Sequence, residues 1–342
     1  MISKQKKILF GLLLAVSYSQ EVKWMSIGDL HNWYSAAGCE VEVGRTGQVS
    51  DQQDGLRFPA FYRVQDNQAA KGLWLGVKNF YDPIVSKDYE YKVVHAGPRH
   101  LDIENETIPK EISLYGRYGH PNVFVDGDPA TNLQYLDNVD EVDPDLPADR
   151  KIYNVVQTSV GVEMQRTIYA FSHPEHQNYH IQEYVFTNNG CYDADCNTSY
   201  EQTLEGFQVY LQYRYAISRE GMVYDGSWLP QSAAWGHNTM NDVIGENPDA
   251  PSGNDQYYDD GTIIRGLYSW HGYHSDASFD NIGGPNSPGE GHLGAAQFVG
   301  VTTLHADTSP ADNTNDLNQP STTWFITSDD PSTSGNDQYN ET

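Results

Sequence analysis

"VEMQRTIYAFSHPEHQNYHIQEYVFTN", Val162 to Asn188, reads as two alternating β-strands around the polar loop SHPEHQ. Each strand interrupts its apolar row with a charge, Arg166 in the first and Glu183 in the second. Setting Phe171 opposite Asn178 places Met164 against Val185, Ile168 against Ile181, Ala170 against Tyr179 and Arg166 against Glu183. That register gathers the apolar positions on one face, and a slip of one residue would undo it. The expectation is a cross-strand structural ion pair, Arg166 with Glu183, inside the sheet. A catalytic Glu183 fits poorly, because a neighbouring guanidinium would hold its carboxyl ionised, the wrong state for a general acid.

The strand signal extends outward. KGLWLGVKNF, YEYKVVHAG, EISLYGRYG, NVFVDG, KIYNVVQTSV, GFQVYLQYRYAIS, GTIIRGLYSW and AAQFVGVTTLHA are rich in Val, Ile, Tyr, Phe and Trp and are punctuated by Gly, Pro, Asn and Asp. Only GDLHNWYSAAG, Gly28 to Gly38, reads as a short helix, with Asp29 as N-cap and Gly38 as stop. The predicted fold class is all-β, a large antiparallel β-sandwich with few short helices over residues 20–305. DNVDEVDPDLPADR, residues 137–150, carries six acids and two prolines, so it reads as a surface connection and the natural place for an internal boundary. Residues 306–342 read as a polar tail or linker.

MISKQKKILFGLLLAVSYSQ has a basic start (Lys4, Lys6, Lys7), an apolar run from Ile8 to Val16, and Ser17 and Ser19 ahead of Gln20. This is the layout of a secretory signal peptide over residues 1–19, and the apolar run is far shorter than the ~20 residues that span a bilayer. The expectation is a secreted or cell-surface protein with no membrane span after processing. Removing the leader's three lysines from the chain's 20 basic residues leaves 17 against 47 acidic ones, a formal charge of −30. Such a surface makes nucleic acid a poor partner, since phosphate binding needs a basic patch. An oxidising compartment also suits the three cysteines: Cys191 and Cys196 in GCYDADCN are placed to form a disulfide, leaving Cys39 open to either state.

Chemistry is harder to read. With 47 acids, paired carboxylates are inevitable and uninformative, so no catalytic residue is nominated. The Asp/Asn-rich turns offer oxygen ligands of the kind calcium takes: Asp255, Asp259 and Asp260 in GNDQYYDDG, and Asp193 and Asp195 in DADCN. Neither has EF-hand spacing. Seven tryptophans and 24 tyrosines suggest polysaccharide as a ligand, because rings stack on the apolar faces of sugars. The densest loop-like ring clusters supply the candidate ligand residues, Trp228 and Trp235 in WLPQSAAWGHN, and Tyr268, Trp270, His271 and His274 in YSWHGYH. The competing reading of these rings is core and sheet-face packing.

VEMQRTIYAFSHPEHQNYHIQEYVFTNNG, LEGFQVYLQYRYAIS and DNIGGPNSPGEGHLGAAQFVGVTTLHAD together resemble a group of uncharacterised secreted β-sandwich proteins of marine Gram-negative bacteria. EYVFTNNG looks like a strand pattern that recurs in their sandwich domains, and some members resemble cargo of the type IX secretion route. The resemblance implies an exported sandwich and supplies no catalytic residue; no sorting-domain pattern is visible in this sequence. Three functions follow as expectations: a non-catalytic surface or binding module, polysaccharide being the leading ligand; a carbohydrate-active hydrolase or lyase; or a structural surface-layer or adhesive component.

Overall fold

The computed structural model describes residues 21–41, 55–60, 66–97, 106–119, 124–129, 138–215, 217, 222–224, 227–229, 239–244, 256–257, 263–271 and 298–316. The expected leader lies outside them. Every regular element among the described residues is a strand, so the chain is all-β. The chain divides into two compact units, residues 1–63, 69–214 and 328–342 in the first and residues 64–68 and 215–327 in the second. The acidic segment therefore falls within the first unit and not at the boundary.

The first thirteen strands are β1 (Val22–Met25), β2 (Asn32–Ser35), β3 (Leu56–Arg57), β4 (Asp66–Asp82), β5 (Lys87–Ala96), β6 (Thr107–Gly116) and β7 (Phe124–Val125), then β8 (Asp128–Pro129), β9 (Glu141–Val142), β10 (Arg150–Thr158), β11 (Val162–Ala170), β12 (His180–Asn188) and β13 (Glu205–Tyr215). A five-stranded sheet has the order β12-β11-β10-β6-β9, antiparallel except for the parallel pair β6–β9. A second sheet runs β13-β4-β3, with β5 paired to β4. One apolar cluster draws on both sheets, Leu73, Leu75, Val77, Phe80 and Val94 from β4 and β5 with Val156, Val162 and Met164 from β10 and β11. The β1–β2 hairpin covers the rest of the five-stranded sheet's inner face, where Met25, Tyr34 and Ala36 meet Ile112, Leu114, Ile152, Ile168 and Ala170.

β2 replaces the expected helix over Gly28 to Gly38. Asn32, Trp33, Tyr34 and Ser35 are all buried, whereas a surface helix would turn one side of its circumference to water. Trp24 of β1 pairs with Trp33 of β2, and their rings meet edge to face at 4.2 Å. The acidic connection is fastened to the sheet's edge rather than free. Asp140 accepts the Leu114 amide at 2.6 Å, and Asp149 accepts the amide and hydroxyl of Ser172 at 2.7 and 2.9 Å.

The β11–β12 hairpin exists, but its register differs by one residue from the expected one. Arg166 is opposite Tyr184, Glu183 is opposite Thr167, and the ladder closes at Ala170 and His180. The slip exchanges the faces of β12: His180, Gln182, Tyr184 and Phe186 face inward, while Ile181, Glu183 and Val185 are exposed. The ion pair Arg166–Glu183 is thus absent. The sheet's inner face around Arg166 is polar, so an amide and a phenol suit it better than two aliphatic chains.

In the second unit, β14 (Met222–Tyr224) and β15 (Ser227–Leu229) form one hairpin. β16 (Thr239–Ile244), β17 (Gln256–Tyr257) and β19 (Phe298–Thr303) each pair antiparallel with the central β18 (Ile263–His271). A last hairpin, β20 (Asp307–Ser309) with β21 (Asp312–Asn315), forms the described start of the expected polar tail.

Candidate functional site

Arg166, fully buried, is the centre of a polar network in the first unit. The chain leaving β2 turns within the core, so its carbonyls are cut off from water and need donors. Arg166 supplies them: Nη1 donates to Gly38 O at 2.8 Å, and Nη2 to Ser35 O at 2.9 Å and Asn154 Oδ1 at 3.0 Å. Asn154 in turn donates to Ala36 O at 3.0 Å. The nearby carboxylate is Glu40, which pairs with Lys71 and accepts from Asn32 at 2.7 Å and Gln182 at 3.2 Å. Burial opposes ionisation of Glu40, but Lys71, Asn32 and Arg166 outweigh it and hold the carboxyl below its usual range. Burial likewise opposes the Lys71 ammonium, and Glu40 more than compensates.

The same network continues to the β12 edge. Gln182 accepts from Lys71 at 3.1 Å and from the Tyr184 hydroxyl at 3.0 Å, and Tyr34 shares a 3.0 Å hydrogen bond with His180 Nδ1. Burial pushes His180 down to about 4, so its ring is neutral. Glu40, Lys71 and the two terminal nitrogens of Arg166 are partnered, Arg166 Nε is buried without a partner among the described residues, and the enclosed charges hold the β2 turn, β4 and β12 in place. Cys39 is a free, buried thiol beside them, pushed up to about 11 by burial and inert as a nucleophile.

The open feature is in the second unit. Side chains two apart on β18 share a face, so Tyr268 and Trp270 lie side by side, ring centroids 5.4 Å apart at 27°. The β18–β19 register sets Phe298 opposite Trp270, extending the stack at 6.5 Å and 26°. Tyr268 and Trp270 are half-buried, whereas Phe298 is 55% exposed. Trp270 Nε1 is buried with no hydrogen-bond partner among the described residues. This is an aromatic row, backed by a sheet, with one ring open and one indole donor unsatisfied.

Of the residues expected from sequence, Tyr268 and Trp270 are brought together here. His271 ends the same strand, its backbone opposite Thr239, and Trp228 of β15 is opposite Val223 of β14. Trp235, His274, Asp255, Asp259 and Asp260 lie outside the described residues. Cys191 and Cys196 are disulfide-bonded, with Cα atoms 4.8 Å apart. Asp193 and Asp195 share the intervening turn, where the Asp193 carboxylate accepts the amides of Asp195, Asn197 and Thr198 at 2.6 to 3.1 Å. Slight burial opposes its ionisation, but these amides outweigh it and keep the acid below its usual range. The turn is satisfied by its own backbone.

Two features escape a sequence reading. Phe298 sits in an ordinary strand pattern, and only cross-strand register brings it to Trp270. His173, Glu175 and His176 gather in the β11–β12 loop, with ligand atoms within 4.8 Å of one another. Their signal was the short run HPEH itself. Comparison of the chain with protein-family models, curated proteins and solved structures finds no match to any of the three. Among the described residues, no helix is long and apolar enough to cross a membrane.

Proposed function

We propose that the protein is an exported, non-catalytic β-sandwich binding module that takes polysaccharide on the Tyr268–Trp270–Phe298 row. The carrying observation is the exposed Phe298 ring at the end of a stacked aromatic series. An aromatic ring offers an apolar face to the C–H face of a sugar, and the Trp270 N–H offers a donor to a hydroxyl. The basic-then-apolar leader supports export, and the strongly acidic composition favours a neutral glycan over a polyanion. Native electrophoresis through gels cast with neutral polysaccharides tests the reading, each gel being stained afterwards for intact polymer. Retardation over unbroken polymer is the expected result. Cleared zones would replace the module with a hydrolase or lyase, and unaltered migration in every gel would leave a structural surface component as the reading to pursue.

A further inference from the structure

We propose that the loop joining β11 and β12 binds a first-row divalent transition ion, zinc or copper, through His173, Glu175 and His176. All three side chains are exposed, and their ligand atoms already lie within 4.8 Å of one another. Tetrahedral zinc at its usual bond lengths of ~2.1 Å needs its ligands about 3.4 Å apart, a contraction that exposed rotamers can supply. Two imidazoles and a carboxylate make a borderline donor set, suited to zinc or copper and unsuited to calcium.

The surroundings hold the loop in shape. His176 N donates to His173 O at 2.8 Å, closing a turn that contains Pro174. One end is tied through Ser172 to Asp149. The other is tied through Gln177, whose carbonyl accepts the Asp29 amide at 2.7 Å and whose side chain donates to Asp29 Oδ2 at 2.9 Å. His176 Nδ1 shares a 2.6 Å hydrogen bond with the Tyr179 hydroxyl. When Nδ1 is the donor in that bond, the lone pair is on Nε2, which is how an outer hydrogen bond orients a metal-ligating histidine. The Phe171 ring stands 6.0 Å from His176 and 5.9 Å from Tyr179, backing both. His173 Nδ1 accepts the Glu175 amide at 3.2 Å, a long contact that metal binding would give up. Three protein ligands leave a fourth position to solvent.

Equilibrium dialysis of the metal-stripped protein against Zn²⁺, with bound metal measured by atomic emission, tests the site. Wild type, the single variants His173→Gln and His176→Gln, their double variant, and His305→Gln as a control elsewhere on the surface are compared. The wild type and the control are expected to retain one equivalent more than the double variant, and each single substitution to weaken that site by ~10-fold or more. Visible d–d absorption of bound Co²⁺ should appear in wild type and vanish in the double variant. Because the rings are exposed, melting of the metal-free variants should match wild type, separating lost ligands from lost folding. Equal stoichiometry and affinity in wild type and double variant, or no zinc retained by either, would overturn the proposal.

Discussion

At the scale of single residues, Arg166 and Glu183 have unrelated roles despite their matching appearance in sequence. Arg166 feeds buried carbonyls and stands near Glu40, so Arg166→Met strands several acceptors and removes a cation from a buried carboxylate. We expect it to cost about 3–5 kcal/mol in urea unfolding. Glu183→Ala, on the exposed face, should change stability by less than about 0.5 kcal/mol, and the two substitutions should be additive. Strong coupling would restore the direct ion pair. His180 gives a pH signature. Its folded pKa of about 4 lies below the unfolded value of ~6.5, so its contribution is present above ~6.5 and is lost as pH falls toward 4. Glu40, also lowered, has the same sign and fails at more acid pH, as pH drops through its folded value. Unfolding free energies from urea titrations should therefore be higher at pH 7.5 than at pH 5 by about 2 kcal/mol, and His180→Gln should flatten the difference. The Arg166 network was illegible in sequence because its carbonyl partners lie more than 120 residues away.

At the scale of elements, the hairpin was legible and its register was not. Alternation fixes which residues share a face, but aliphatic content alone could not show which face of β12 meets a polar interior. Exposed Ile181 and Val185 flank Glu183 on this edge strand, where a charge discourages pairing with another chain. The misread helix has a similar origin, since GDLHNWYSAAG carries a cap and a stop while its burial on every side is set by distant strands. Gly28, between β1 and β2, shows how closely that segment approaches the β11–β12 loop. Its φ is +77°, and a Cβ there would fall 2.5 Å from Gln177 O and 2.6 Å from Phe171 O. Gly28→Ala should cost at least about 2 kcal/mol in thermal or urea unfolding. Gly127→Ala, at φ +92° with open space around it, carries only the backbone penalty of about 1 kcal/mol. Equal losses at the two sites would argue against the close approach.

At the scale of the whole molecule, the abundance of β-branched and aromatic runs made the all-β class plain, and the close pair of cysteines in GCYDADCN is the Cys191–Cys196 disulfide. The division of the chain was not readable, because the Pro- and Asp-rich segment that looks like a linker is used to finish the edge of a sheet. Two of the three rings in the aromatic row could be named from YSWHGYH, since Tyr268 and Trp270 are two apart on one strand. Phe298 belongs to a strand nearly thirty residues later, and pairing alone recruits it. The direct test of the proposed function is a titration of tryptophan emission with neutral oligosaccharides, in wild type and in Phe298→Ala. Wild type should show a saturable change, weakened ~10-fold or more by the substitution while the melting temperature stays within about 2 °C. Equal affinity in the two proteins, or no saturable change in wild type, would contradict a binding face built on Tyr268, Trp270 and Phe298.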